Sequence, residues 1–114
     1  MAKSQSDLIF IMPHTGTEYK TTQSAWQKEI FHYLIDSGAD MIIGNHPHVI
    51  QGKELYNNKY IYYSLGNFLF DGMNNIQNAT DGLCLELVIE DKKITQVNEL
   101  PIKIGLDGFP KFIN

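Results

Sequence analysis

The sequence lacks several features that would place it in common classes of protein. Its single cysteine, Cys84, cannot form a disulfide within the chain and leaves the redox compartment open. No apolar run approaches the roughly 20 residues that a membrane span requires, and residues 1–6 lack the apolar core of a secretory signal. Lys and Arg number 9 against 13 Asp and Glu, without a basic cluster, so the footprint of a nucleic-acid-binding protein is absent.

What is present is the composition of a folded protein. Hydrophobic residues make up 43% of the 114 positions and charged residues 19%, which is typical of a globular chain and not of a disordered one. A chain of this length can bury a real core but is too short for two ordinary domains. We therefore expect residues 1–114 to form a single domain or a domain fragment.

The first half of the sequence predicts a strand, a helix and a second strand. Residues 7–12 form a continuous apolar run that is typical of a buried strand, and residues 40–44 form another. Residues 22–37 show helical periodicity, with Thr21 or Thr22 available as the cap and Gly38 placed for a left-handed C-terminal cap. The face expected to pack on the core consists of Trp26, Ile30, Tyr33 and Leu34.

The second half of the sequence predicts β-hairpins. Residues 53–56 and 59–64 flank Asn57 and Asn58, which tolerate the positive φ of a tight turn. Residues 83–89 alternate in polarity, and residues 94–100 form a further strand that Pro101 is expected to end. Strand, helix and strand with short connections indicate a βαβ unit. The predicted fold class is α/β, a βαβ unit followed by β-hairpins.

Three histidines follow the two predicted parallel strands, His14 after the first and His46 and His48 after the second. Pro47 favours an extended backbone at His46, in which residues i and i+2 project to the same side, and Gly44 lets the chain turn before them. Since parallel strands place their carboxyl ends at one edge, we expect the three imidazoles to lie at the same edge of the sheet. Imidazole suits zinc, iron and manganese. The alternative interpretation is solvated histidines beside a turn proline.

Glu18, four residues after His14, is the first candidate for a carboxylate at such a site. It would serve either as a fourth ligand or as a residue that orients a histidine. Three histidines with one carboxylate suit a single zinc-like ion. Two ions about 3.5–4 Å apart would instead clamp a phosphate or carboxylate and activate a water. Asn67, in a predicted bend, is a candidate for contact with a ligand.

With these residues in hand, the chain resembles the bacterial capsule synthesis proteins of the poly-γ-glutamate type (CapA-like), which are similar to calcineurin-like metallophosphoesterases. The resemblance covers residues 7–90 and leaves residues 91–114 as a C-terminal strand and tail. It rests on five tags in family order: His14-x-Gly16-x-Glu18-Tyr19, the helix ending Leu34-Ile35-Asp36-Ser37-Gly38-Ala39-Asp40, Ile43-Gly44-x-His46-Pro47-His48-Val49-x-Gln51, Glu54, and Tyr63-Ser64-Leu65-Gly66-Asn67-Phe68.

The resemblance implies half of a metallophosphoesterase-like sandwich with a divalent transition metal, Mn, Fe or Zn, binuclear in the complete domain. His14, His46 and His48 would be metal ligands, with His46 and His48 also catalytic. Supporting or substrate-contacting positions would be Glu18, Gln51 and Asn67. The aspartates and the Asn-His pair that the family places earlier have no match here, so we expect a C-terminal fragment. Thr15 stands where the family usually has an aromatic residue, which alters the expected pocket wall.

The function implied is capsule (poly-γ-glutamate) biosynthesis, with metal-dependent phosphoester hydrolysis when the site is complete. The expected partners are an anionic polymer or a phosphoester, and the family suggests the cell envelope or the extracellular space. The alternative is a non-catalytic metal- or polymer-binding module, inactive without the N-terminal half. An exposed sheet edge in such a fragment would favour a homodimer.

Overall fold

Two β-sheets and one α-helix make up the computed structural model, which describes residues 2–113. A single 3-10 turn, Ala2–Ser4, precedes them. The elements are β1 (Phe10–Ile11), α1 (Ala25–Asp36), β2 (Met41–Ile43), β3 (Lys53–Tyr56), β4 (Lys59–Tyr62), β5 (Asp81–Glu90), β6 (Lys93–Ile104) and β7 (Pro110–Phe112).

The first sheet has the strand order β1-β2-β4-β3, in which β1, β2 and β4 are parallel and β3 is antiparallel to β4. The second sheet is antiparallel, with the order β5-β6-β7. The predicted α/β class, with a βαβ unit followed by hairpins, is therefore confirmed. The β3–β4 turn uses Asn57 and Asn58 at φ 48° and 61°, as their tolerance of left-handed backbone predicted.

Helix α1 begins one turn later than the sequence suggested. Its N-cap is Ser24, whose hydroxyl accepts from the Gln27 backbone N–H while the Gln27 side chain accepts from the Ser24 N–H. This capping box satisfies two unpaired donors at once, which is why Ser24 serves as the cap and neither Thr21 nor Thr22 does. The predicted left-handed C-terminal cap is confirmed, because Gly38 has φ 117°.

Of the residues predicted for the packed face of α1, Leu34 packs against the core, but Trp26, Ile30 and Tyr33 are exposed. The buried residues are Gln27, Phe31 and Ile35, whereas Trp26 and Tyr33 are 55% and 67% exposed. Two stripes of this helix carry apolar residues, and the buried stripe is the less apolar of the two in the sequence because it begins with a glutamine. That glutamine is tolerated inside because its side-chain amide donates to the Gln51 Oε1 at 2.9 Å.

The core lies between α1 and the first sheet. Phe31 stacks on Tyr63 with ring centroids 5.1 Å apart, and Ile42 and Ile61 complete the layer from β2 and β4. Gly44, directly after β2, permits the close approach of the backbone that follows β4, since a Cβ at Gly44 would lie 2.2 Å from the Tyr63 carbonyl oxygen. The glycine is thus required by packing and not by a turn, and its φ is not positive.

Strand β1 is shorter and more exposed than the buried strand that the apolar run predicted. Only Phe10 and Ile11 pair with β2, and β1 forms the edge of the sheet. Ile11 packs against the core, while Phe10 is 37% and Met12 73% exposed on the opposite face. Sequence periodicity predicts a strand here, but it does not show that β1 lies at the edge of the sheet with one face exposed.

The expectation that Pro101 ends a strand is also wrong, because β6 continues through it to Ile104. The Pro101 carbonyl accepts a hydrogen bond from the Ile113 N–H at 3.1 Å, on the side away from β5. In an antiparallel strand the N–H and C=O of a residue point to the same side. The missing N–H of Pro101 therefore faces the far side, and the ladder with β5 loses nothing.

Candidate metal centre

The loops that follow β1 and β2 are joined by an extension of their parallel pairing. His14 and Asn45 form an isolated parallel bridge beyond the ends of the two strands. The Thr15 N–H donates to the Asn45 carbonyl at 2.9 Å, and the Asn45 N–H donates to the Pro13 carbonyl at 3.0 Å. This backbone pairing sets the separation of the two loops, so His14 and His46 are brought to one edge by the sheet itself.

Further contacts hold the first loop over the second. The Tyr19 N–H donates to the Pro47 carbonyl at 2.7 Å. Gly16 has φ 125°, and a Cβ there would lie 2.7 Å from the Gln27 Nε2 and 2.9 Å from the Pro47 Cγ. Only glycine lets the loop pass this close to Pro47, and Glu18 is thereby positioned above the second loop.

The backbone at His46 and His48 is not extended, although Pro47 predicted an extended backbone at His46. His46 has φ 113° and His48 has φ 64°, both in the region that non-glycine residues rarely adopt. Such conformations cost about 1–3 kcal/mol each and persist only where the surroundings enforce them. Here Asn45 contributes, since its Oδ1 accepts from the His46 N–H at 2.8 Å.

The first pair of imidazoles is in direct contact. The His14 Nε2 lies 3.1 Å from the His46 Nδ1, and the ring centroids are 4.6 Å apart. Two nitrogens bound to one zinc-like ion at about 2.0–2.1 Å each would lie about 3.3 Å apart at the tetrahedral angle, close to the observed distance. The spacing therefore fits either one shared proton or one shared ion.

The second group combines two histidines with the predicted carboxylate. Glu18, His46 and His48 each offer a ligand atom, and these atoms all lie within 4.8 Å of one another. It is the one cluster of its kind among the residues that the structure describes. Neutral nitrogens with one carboxylate are a donor set that suits zinc or a related divalent ion, so the residues present fit a metal. Convergence of the three histidines on one edge is confirmed, and their role as ligands stays a prediction.

Asn67 fixes the orientation of His48. Its Oδ1 lies 2.9 Å from the His48 Nδ1, and its Nδ2 donates to the His48 carbonyl at 3.2 Å and the Ala79 carbonyl at 3.0 Å. Since an amide oxygen can only accept, the Nδ1 of His48 donates to it, and in the neutral imidazole the lone pair is then on Nε2. Asn67 is buried, and it directs the Nε2 side of the ring away from itself.

Gln51, also predicted for the site, lies beneath it. Its side chain is buried, accepts from the Gln27 amide and donates to the Lys20 carbonyl at 2.9 Å. It therefore anchors the end of the first loop to helix α1, and its hydrogen bonds go to Gln27 and Lys20 and not to a histidine. Gln27, the other half of this buried pair, was missed because an apolar-face analysis of the helix discards a glutamine.

Two aromatic residues that composition alone did not single out flank His48. The Tyr19 ring centroid is 6.0 Å from that of His48, with the planes 31° apart. Phe70 meets His48 edge-on at 5.3 Å. Tyr19 belongs to a tag of the family resemblance, whereas nothing in the sequence around Phe70 distinguishes it from a packing residue.

A second polar cluster lies away from this edge and joins α1 to the β3–β4 hairpin. Glu54 accepts from the Tyr63 hydroxyl and contacts the His32 Nε2 at 2.6 Å, and His32 stacks on Tyr56. Burial acts to raise the pKa of Glu54, but hydrogen bonds from Tyr63 and His32 and the charges of His32 and Lys28 outweigh it, so the pKa is lowered. His32 thus makes a structural contact between α1 and the hairpin.

No helix of the described chain has the length and apolar character to cross a membrane.

A family of known proteins matches this chain. The model of the bacterial capsule synthesis protein PGA_cap family matches residues 1–72, which include both histidine loops.

Individual relatives agree with this match. The capsule biosynthesis protein CapA of Bacillus anthracis is 34% identical over 109 residues, which are 96% of this chain and 26% of that protein. The PGA biosynthesis protein CapA of Bacillus subtilis (strain 168) is 43% identical over 70 residues, 61% of this chain and 18% of that protein. The uncharacterized protein y4sH of Sinorhizobium fredii is 35% identical over 73 residues. The chain thus spans at most 26% of the length of these relatives. It belongs to the bacterial capsule synthesis protein PGA_cap family.

Proposed function

We propose that this chain forms the histidine-bearing part of a divalent-metal site in a protein of poly-γ-glutamate capsule synthesis. The observation that carries the proposal is the juxtaposition of His14 and His46 at 3.1 Å, with Glu18 and His48 alongside. The names of the two Bacillus relatives, both called CapA, support the capsule assignment. The expected metal is Mn, Fe or Zn, and in the complete domain the reaction is phosphoester hydrolysis.

Each side chain has a defined part in such a site. His14 and His46 supply neighbouring nitrogens, and His48 presents its Nε2 because Asn67 holds the other nitrogen. Glu18 offers negative charge against the bound cation. A divalent ion held there would polarise a phosphoryl oxygen and lower the pKa of a bound water. The partners we expect are a phosphoester or an anionic polymer at the cell envelope.

A non-catalytic binding module is the second candidate function. It is favoured by the donor set, because the cluster contains one carboxylate and binuclear hydrolytic sites normally use carboxylates to bridge two ions. It is also favoured by exposure, since both His14 and Glu18 are exposed to solvent. In this case the chain binds metal or polymer without turnover.

Metal titration of the purified chain tests the shared part of both candidates. We expect roughly one equivalent of Zn²⁺ or Mn²⁺ per chain by calorimetry and elemental analysis, and its loss in the His46→Ala/His48→Ala double variant. His32→Ala is the matched control, because His32 pairs with Glu54 away from the loops and its loss should leave the stoichiometry unchanged.

Failure to bind either ion, or equal binding by the double variant, would refute the metal site. Hydrolysis of bis(p-nitrophenyl) phosphate by the metal-loaded chain then separates the two candidates. Turnover that disappears in the double variant supports the hydrolase, and stoichiometric metal binding without turnover supports the binding module.

A further inference from the structure

Two exposed aromatic residues pack against His48, a predicted ligand of the proposed metal. Tyr19 is 40% exposed and Phe70 is 39% exposed, although both rings lie beside the His48 imidazole, with centroids 6.0 and 5.3 Å from it. Neither belongs to the core cluster between α1 and the sheet. Their placement is therefore not explained by burial within this chain.

Both rings are held in position by the backbone. Tyr19 adopts φ 63°, an outlier for a bulky residue, and its N–H is tied to the Pro47 carbonyl at 2.7 Å. The Phe70 N–H donates to the Gly108 carbonyl at 3.2 Å, which fixes the loop after β4 against the turn between β6 and β7. A strained residue whose side chain stays half exposed points to a ligand contact and not to core packing.

We propose that Tyr19 and Phe70 form an aromatic clamp beside His48, and that the site takes a phosphate-type anion carrying a planar apolar group. This inference rests on the proposed metal site, which would hold the anionic head. Glu18 is the charged member of the cluster, and it is acidic. The Tyr19 and Phe70 rings carry no charge, so they distinguish ligands by the group attached to the anionic head.

The magnitude follows from the contacts that a planar group gains. Each aromatic contact of this kind contributes about 0.5–1.5 kcal/mol beyond area burial, so one or two rings should favour an aryl over a methyl group by about tenfold in affinity. Neither ring is expected to affect the binding of the anionic head itself. Methylphosphonate and inorganic phosphate should therefore bind equally well with or without the rings.

The experiment compares phenylphosphonate and methylphosphonate by calorimetry on the Zn²⁺-loaded chain. We expect phenylphosphonate to bind about tenfold more tightly, and the ratio to fall to about threefold in Tyr19→Ala or Phe70→Ala and to about one in the double variant. Tyr19→Phe keeps the ring and should keep the preference. Matched controls are Tyr33→Ala on α1 and Phe112→Ala on β7, which remove rings that are both 67% exposed and should leave the ratio unchanged.

A second measurement serves if a variant fails to fold. In the native Zn²⁺-loaded chain, phenylphosphonate but not methylphosphonate should shift the ring proton resonances of Tyr19 and Phe70. Equal affinity for the two ligands, a preference that survives the double variant, or unshifted ring resonances would each overturn the clamp. Absence of Zn²⁺ binding in the initial titration would instead overturn the proposed function, and the clamp with it.

Discussion

Asn67 is the residue on which the geometry of the site most depends. A single buried amide binds the His48 ring and the carbonyls of His48 and Ala79, so it ties the strained loop to the segment before β5. We expect Asn67→Ala to weaken metal binding by about 10–100-fold, because the freed imidazole would lose its tautomer and direction. The variant should also lose about 1–3 kcal/mol of unfolding free energy, since two buried carbonyls lose their donor.

Calorimetric titration with Zn²⁺ and urea denaturation check these two effects. Asn75→Ala is the control, because Asn75 is exposed in the loop that follows and should be neutral in both measurements. Unchanged metal affinity in Asn67→Ala would show that the His48 ring is held by other contacts.

At this scale the sequence identified the right side chains more readily than their conformations. His14, His46, Glu18 and Asn67 all lie at the predicted edge, because chain order and parallel pairing decide which loops meet. The left-handed backbone of His46 was not predictable, since Pro47 alone favours an extended residue before it and the opposing contacts come from distant parts of the chain.

Helix α1 is attached to the hairpin by polar contacts as well as by the core. The lowered pKa of Glu54 means that the ionised form of this side chain is more favourable in the folded state than in the unfolded state. That stabilisation is present above the ordinary carboxyl pKa of 4.5 and is lost as the pH falls through the lowered value. We expect Glu54→Gln to cost about 1 kcal/mol of unfolding free energy at neutral pH, and the difference from the native chain to shrink as the pH falls below 4.5.

Urea denaturation across a pH series measures this difference. Glu29→Gln, on the solvent side of the same helix, controls for the loss of one negative charge and should leave the stability within about 0.5 kcal/mol. A penalty that persists unchanged in acid would mean that the glutamine loses shape complementarity and that the Glu54 charge is unimportant.

The element scale also shows where periodicity misleads. In the sequence, the stripe of α1 that contains Trp26 and Tyr33 is the more apolar of the two. It is nevertheless exposed, because the sheet covers the stripe of Phe31 and Ile35. The choice depends on the buried pair of Gln27 with Gln51, a contact between segments 24 residues apart that no local pattern encodes. The hairpin, by contrast, was predictable because its Asn57-Asn58 turn is a local signal.

At the scale of the whole fold, β1 is an edge strand of the first sheet within residues 2–113, with β2 as its one strand neighbour. Phe10 and Met12 expose apolar surface on the face of this strand opposite Ile11. An uncovered edge with apolar side chains is a template for pairing with another chain. Sedimentation equilibrium should therefore show a concentration-dependent homodimer, and Met12→Lys should shift it toward the monomer by placing a charge at the edge.

The control for this prediction is Tyr33→Lys. It places the same charge on the exposed stripe of α1, where Tyr33 is 67% exposed and no strand edge is available. A native chain that is monomeric throughout the concentration range would contradict pairing through β1. Dissociation by the helix variant would place the interface on α1.

The dependence of His48 on Asn67 has a consequence for the order of events during synthesis. The two residues are 19 positions apart, and a ribosome adds about 5–20 residues per second. His48 thus leaves the ribosome about 1–4 s before the amide that orients it, and His14 and His46 leave earlier still. During that interval Asn67 does not hold the His48 ring. If the proposed site binds metal, its selectivity would depend on Asn67 having been added to the chain, and the ion taken up would then depend on timing and supply in the cell as well as on the ligands.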